Sequence, residues 1–179
     1  MRSRTCYLYV LPLAYEDILK LGISHDPLAR AQAFSRRYYE FFDLERSLLV
    51  EFDCKREAQA RETALHRQLR DWNAVQPITV PGAAAGKTEW YRGAYAILSA
   101  AVTTDVAEGR RAHSPAMEWW RTQLLAERDA LYEWIVTMTG DGVCVLPPRE
   151  RQQRLADALD AYRIMDVPLG DALPPGLNL

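Results

Sequence analysis

Two short apolar segments near the start of the chain constrain its fold more than any other feature. Residues 7–11 and 18–23 are rich in aliphatic and aromatic side chains, and a polar segment containing Pro12 separates them. Such segments favour strands, because branched and aromatic side chains pack well on a pleated surface. Asp26-Pro27 follows, an N-cap acceptor before a proline suited to the first helical position. The pattern predicts a β-hairpin followed by a helix to about residue 37.

The next segments predict a strand and a helix. Residues 44–52 contain an apolar run bounded by charges, which fits a third strand. Residues 54–72 carry apolar side chains at helical spacing, which predicts a helix capped by Asp53. We therefore expect an α/β (α+β) domain with a central antiparallel three-stranded sheet flanked by helices.

A loop should separate this helix from the rest of the domain. Residues 73–86 hold two prolines, two glycines and three consecutive alanines, a composition typical of a long loop that acts in binding or moves. Residues 87–92 should return to the core as a short extended segment. The Ala, Ile and Leu content of residues 93–108 predicts a further helix.

The last third of the chain predicts a helical extension. The polar residues 109–113 precede Ser114-Pro115, a second N-cap and proline pair, which predicts a hinge. We expect a domain of residues 1–111 and an extension of residues 112–179 with one long helix, a shorter helix over 149–164 and a loose Pro-rich tail. The tryptophan-bearing stripe of the long helix suits either core burial or a homodimer contact.

Composition excludes several classes of protein. The longest apolar stretches fall short of the roughly 20 residues of a membrane helix, so we expect no membrane partner. The start of the chain lacks a signal-peptide pattern, and we expect a cytoplasmic location. Three widely spaced cysteines without a CxxC pair argue against a disulfide framework or a zinc site. Residues 1–92 hold 14 Lys+Arg against 12 Asp+Glu, so any polyanion should contact this part.

Several side chains of the first half follow one another in a characteristic order. Tyr7-Leu8-Tyr9 is followed after ten residues by Lys20-Leu21-Gly22, and Arg30 lies eight residues beyond the glycine. Glu62 and His66 then form an E-x-x-x-H pair, and Glu89-Trp90-Tyr91 closes the set. Over about residues 5–95 this order resembles the GIY-YIG nuclease superfamily, and best its phage-derived branch, in which lysine replaces the second tyrosine. The chain departs from that family in lacking a glycine before its first tyrosine and a clear counterpart of a carboxamide near the domain end.

The resemblance implies a Mg²⁺-dependent (or Mn²⁺-dependent) endonuclease acting on DNA, with RNA as the less favoured substrate. Phosphodiester hydrolysis needs a positioned water and positive charge around the transition state. Glu62 is the expected metal ligand, since Mg²⁺ keeps most of its waters and takes one or two protein carboxylates. Arg30 offers a planar fork for phosphate and Lys20 a compact cation. Tyr9 would orient or deprotonate the attacking water, and base action requires that Lys20 or Arg30 lower the tyrosine pKa from about 10. His66 would support the site.

Five further side chains are candidates for contact with nucleic acid through charge and stacking. They are Arg36, Arg37, Tyr38, Lys87 and Trp90. For the two arginines, a favourable interaction with a helix C-terminus explains the sequence equally well.

Structural explanations exist for each catalytic candidate taken alone. Tyr9 could pack across strands, and Lys20 could face solvent. Arg30 and Glu62 could be helix-surface charges, with His66 simply one turn from Glu62. A second hypothesis therefore stands beside the nuclease: a catalytically inactive module of the same fold that binds nucleic acid or a protein.

Overall fold

The protein's fold is given by a computed structural model that describes residues 5–84, 86, 88–139, 146–170 and 173. The described residues divide into two compact units, Met1–Glu118 and Trp119–Leu179. No helix in the described ranges combines the length and the apolarity that crossing a membrane would require.

The first unit is built on one antiparallel sheet. Its strands are β1 Cys6–Pro12, β2 Ile18–Ser24, β3 Leu48–Phe52, β4 Trp90–Arg92 and β5 Ala112–His113, in the spatial order β4-β2-β1-β3-β5. The predicted hairpin and third strand are confirmed, and the α+β class with them. The expected three-stranded sheet is corrected to five strands. The two additional strands lie at the edges and span three and two residues, too few for an alternating pattern to be read from sequence.

Among the described residues of this unit, four α-helices accompany the sheet. They are α1 Pro27–Phe34, α2 Tyr38–Phe41, α3 Lys55–Gln68 and α4 Tyr95–Ala107. The predicted start of α1 is confirmed, because the Asp26 carboxylate accepts a hydrogen bond from the Ala29 amide at 2.9 Å. This helix ends earlier than predicted, since Ser35 is extended. The predicted cap of α3 is also corrected, from Asp53 to Cys54.

The core of the first unit lies between the sheet and helices α3 and α4. Leu8 and Val10 of β1 belong to the buried cluster, together with Leu65 of α3 and Leu98 of α4. Side chains alternate along a strand, so Tyr9 points away from this cluster, to the opposite face. That alternation places Tyr9 where the candidate site forms.

Residues 109–113 do not form the predicted hinge, because Ala112 and His113 pair with Val50 and Leu49 of β3. The first unit therefore extends to Glu118, beyond the boundary expected after Arg111. Ser114-Pro115 does not cap a helix, since the next helix begins at Met117.

The second unit is helical, as expected. Its helices are α5 Met117–Ala126, which begins at the end of the first unit, α6 Arg128–Thr139 and α7 Pro148–Ile164. The single long helix of the prediction is thus two helices that break at Glu127, whereas the last helix after Pro147-Pro148 is confirmed. The Tyr162 hydroxyl donates to the Leu124 carbonyl at 3.0 Å and ties α7 to α5. The predicted loose Pro-Pro-Gly tail lies outside the described residues.

Candidate functional site

Tyr9 occupies a space that a glycine leaves open. Its register partner in β2 is Gly22, and a Cβ added to Gly22 would stand 2.6 Å from Tyr9 Cζ. Arg30 of α1 donates from Nε to the Tyr9 hydroxyl at 3.3 Å, and its guanidinium lies 4.6 Å from the Phe34 ring centre. The glycine of the Lys20-Leu21-Gly22 motif therefore makes room for the tyrosine ring.

Burial governs the acidity of Tyr9. The side chain is 1% exposed, and desolvation raises the pKa of Tyr9 to about 12 even though Arg30 acts in the opposite direction. The condition for base action by Tyr9, a pKa lowered by a neighbouring cation, is therefore not met: Arg30 is close, but the loss of solvent outweighs its effect. Tyr9 stays protonated at neutral pH, so it can orient a water molecule but is a poor base.

Lys20 is buried instead of facing solvent. Its ammonium forms an ion pair with Glu89 and donates to the Gly86 carbonyl at 3.0 Å. The Nζ atom also lies 5.7 Å and 5.5 Å from the ring centres of Phe34 and Trp90. Burial lowers the pKa of Lys20, and the Glu89 carboxylate opposes that shift. The explanation of Lys20 as a solvent-facing strand charge is thereby excluded.

Glu62 lies on α3 beside two other side chains that can bind a metal ion. It is 6% exposed, and Gln59 donates to its Oε2 atom at 2.5 Å. His66 Nε2 is 3.6 Å from Glu62 Oε1. Ligand atoms of Glu62, His66 and Glu89 all lie within 4.8 Å of one another. These donors suit a divalent cation, because two carboxylates supply charge and the imidazole supplies a neutral nitrogen.

The structure brings the five predicted catalytic and metal-binding residues into one cluster. Arg30 bonds to Tyr9, and both Arg30 and Lys20 lie against the Phe34 ring. Lys20 pairs with Glu89, whose ligand atom lies within 4.8 Å of that of Glu62. His66 joins the cluster through Glu62. The cluster reaches solvent at its acidic end, where the side chains of His66 and Glu89 are 24% and 32% exposed.

Comparison with known proteins gives one match. The T5orf172 domain matches residues 6–106, more than half of the chain. The chain belongs to the T5orf172 domain family. This family is found in phage-related and nuclease-like proteins. No curated protein and no solved structure matches the chain.

The T5orf172 domain contains β1 to β4, helices α1 to α3 and every residue of the cluster. Gln59 belongs to the cluster but carries no prediction from the sequence, and Tyr91 is predicted only as a member of the Glu89-Trp90-Tyr91 motif. Gln59 supports Glu62 from one turn earlier in α3, an i,i+3 spacing that could have indicated it. Tyr91 contacts His66 Nδ1 through its hydroxyl at 2.5 Å. Glu89 was recognised only as part of an aromatic motif, and its ion pair with Lys20 spans 69 residues.

The nucleic-acid-binding residues expected in the T5orf172 domain are not all accessible. Tyr38 and Trp90 are 2% and 0% exposed, so neither ring is available for stacking on a base, and that expectation is corrected. Arg36 is exposed, whereas Arg37 pairs with Glu40 at 2.6 Å. Lys87 lies outside the described residues.

Proposed function

We propose that the T5orf172 domain of this chain is a metal-dependent endonuclease of the GIY-YIG type that hydrolyses phosphodiester bonds in DNA. The observation that carries the proposal is the convergence of Tyr9, Lys20, Arg30 and Glu62, which lie far apart in sequence. A phenol that can orient water, a guanidinium that can bind phosphate and a carboxylate that can hold a metal ion together suit phosphodiester hydrolysis. The order of these residues along the chain, which resembles the superfamily, supports the same proposal.

Each side chain has a role that its surroundings allow. Arg30 donates a hydrogen bond from Nε to the Tyr9 hydroxyl. Its two Nη groups have no protein partner among the described residues, so they can form a bidentate pair of hydrogen bonds with a phosphate. The protonated Tyr9 hydroxyl can orient the attacking water. Lys20 is fully buried and acts by holding Glu89, so it is a positioning residue and does not touch the phosphate.

Glu62 is the residue that would hold the metal ion. It is a buried carboxylate fixed by Gln59, and one carboxylate with bound waters is an adequate site for Mg²⁺. The ion, when bound, supplies Lewis-acid stabilisation of the charge on the phosphodiester oxygens.

The proposal is tested by incubating the purified protein with plasmid DNA, single-stranded DNA and RNA, with and without Mg²⁺. We expect Mg²⁺-dependent cleavage, strongest on DNA, and a loss of about 100-fold or more in Glu62→Gln. Glu57→Gln is the matched control, because Glu57 is an exposed carboxylate on the same helix. The absence of any metal-dependent difference on all three substrates would remove the enzymatic proposal.

The inactive binding module is the second candidate function. The burial of Tyr9 and the sequestration of Lys20 favour it, because both groups are poorly placed to exchange protons. In that case the protein would retard DNA in a gel without cutting it. The retardation should weaken steeply as salt is raised, because phosphate contacts release counterions.

A further inference from the structure

His66 is held in an orientation typical of a metal ligand. Its Nδ1 atom lies 2.5 Å from the Tyr91 hydroxyl, and the two rings stack with centres 5.8 Å apart. Its Nε2 atom is buried and has no hydrogen-bond partner among the described residues. The distance of 3.6 Å from Nε2 to Glu62 Oε1 is too long for a hydrogen bond. A buried nitrogen without a partner carries a free-energy penalty, which a bound ion would remove.

Glu62 and Glu89 lie where they can complete a set of three ligands. The ligand atoms of the two carboxylates and of His66 are within 4.8 Å of one another. Two ligands of one ion stand at most about 4.4 Å apart when each metal–ligand bond is about 2.2 Å long. Small side-chain movements are therefore enough to close the set around an ion. Lys20 donates a hydrogen bond to Glu89 Oε2, but the second carboxylate oxygen of Glu89 can still bind a metal ion.

We propose that Glu62, His66 and Glu89 together form a three-ligand site that prefers a first-row transition-metal ion, such as Mn²⁺ or Co²⁺, to Mg²⁺. The inference rests on the proposed function, since Glu62 is the metal ligand in both, but it adds two ligands and a metal class. Imidazole nitrogen favours transition ions, whereas Mg²⁺ prefers oxygen ligands and retains its waters. The expected order of affinity is Mg²⁺ below Mn²⁺ below Co²⁺.

Calorimetric titration of the full chain with Mn²⁺ and with Mg²⁺ tests this site directly. We expect His66→Gln to weaken Mn²⁺ binding by about 10-fold or more and Mg²⁺ binding less, so that the ratio of the two affinities falls. Glu89→Gln should weaken the binding of both ions, and Glu57→Gln should weaken neither. An unchanged affinity ratio in His66→Gln, or unchanged Mn²⁺ binding in Glu89→Gln, would overturn the inference.

A spectroscopic measurement on the unmodified protein keeps the test valid if a variant fails to fold. Bound Mn²⁺ should show magnetic coupling to an imidazole ¹⁴N nucleus in a spin-echo experiment, and the absence of that coupling would rule out His66 as a ligand. Tyr91→Phe provides a second variant, because it keeps all three ligands and removes only the hydroxyl next to Nδ1. We expect this variant to retain the nitrogen coupling and to bind Mn²⁺ more weakly than the unmodified protein.

The cleavage assay on the same variants separates this inference from the proposed function. Glu62-dependent cleavage combined with an unchanged affinity ratio in His66→Gln would leave the nuclease intact and remove the three-ligand site. A fall of that ratio in a protein that cuts no nucleic acid would support the metal site and remove the nuclease.

Discussion

Tyr9 and Gly22 show how closely one residue can depend on another. The tyrosine ring covers the glycine, so any larger side chain at position 22 would collide with the ring and break its contact with Arg30. The glycine of the motif is thus required by packing and not by its backbone freedom. The sequence at position 22 does not show this requirement, because it arises from the side chain of Tyr9 on the neighbouring strand.

We expect Gly22→Ala to lower the free energy of unfolding by about 1–3 kcal/mol, the usual range for adding a methyl group to a packed interior. It should also reduce any cleavage, because the Tyr9 hydroxyl must move. Urea unfolding and the plasmid assay measure the two effects. Gly82→Ala is the control, since a Cβ there meets nothing within 4 Å. Equal stability of the two variants would contradict the close packing of Tyr9 on Gly22.

The raised pKa of Tyr9 predicts a loss of stability in alkaline solution. The pKa is about 12 in the folded protein against 10.0 for an unperturbed tyrosine, so the folded state holds the proton more tightly. The resulting stabilisation is complete below pH 10.0 and is lost as the pH rises from 10.0 to about 12. Urea unfolding at pH 8 and pH 11 measures it, and the difference between the two should be smaller in Tyr9→Phe. Tyr15→Phe, at an 87% exposed position, should retain the full difference.

At the scale of elements, a buried ion pair joins α3 to α4. Asp105 is 1% exposed and accepts from Arg61 Nε at 3.0 Å, while Arg61 Nη2 donates to the Ala101 carbonyl at 3.2 Å. Arg110 approaches the same carboxylate at 3.4 Å. Arg61 immediately precedes Glu62, so this contact also helps to hold the turn of α3 that carries the candidate metal ligand.

Removal of this carboxylate should destabilise the protein strongly. We expect Asp105→Ala to lower the free energy of unfolding by about 3 kcal/mol, because it leaves a partly buried guanidinium without its partner. Glu108→Ala removes an exposed carboxylate that also pairs with Arg110, and it should change stability by less than about 0.5 kcal/mol. Thermal and urea unfolding compare the two variants. Similar losses would show that the burial of Asp105 contributes nothing to the stability of the protein.

The sequence predicts the beginnings of elements better than their ends. Asp26-Pro27 marks the first turn of α1 because the capping groups lie within three residues of each other. The break at Ser35 and the short helix after it have no comparable signal. The edge strand β5 has none either, since two residues join the sheet only through pairing with β3.

The whole molecule divides into two units at Glu118. This division predicts how the stability of a truncated chain depends on where the chain ends. A chain ending at Glu118 keeps β5 and the hydrogen bond from the Ala116 amide to the Ser47 carbonyl at 2.9 Å. A chain ending at Arg111 loses both and exposes the edge of β3. We expect the longer chain to melt at the higher temperature, by several degrees, in circular dichroism or calorimetry. Equal melting temperatures would show that β5 is dispensable.

The same longer chain tests the homodimer expected from the C-terminal helices. If these helices mediate association, light scattering should give twice the chain mass for the full protein and a single chain mass for the truncated one. Trp120, Leu124 and Ile135 are at most 2% exposed within the chain, so core burial already accounts for them. A dimer would have to use other side chains of these helices.

By itself the sequence determined the hairpin, the start of the first helix, the α+β class and the set of residues whose order resembles a nuclease. These follow from neighbours along the chain, through alternation, capping and spacing. Only the tertiary structure decided that Tyr9 and Lys20 are buried, that Glu89 pairs with Lys20, and that β4 and β5 complete the sheet. Desolvation and strand pairing depend on groups that come from distant parts of the chain. The local sequence does not show which distant groups will be in contact, so it predicts neither the burial of a side chain nor the pairing of an edge strand.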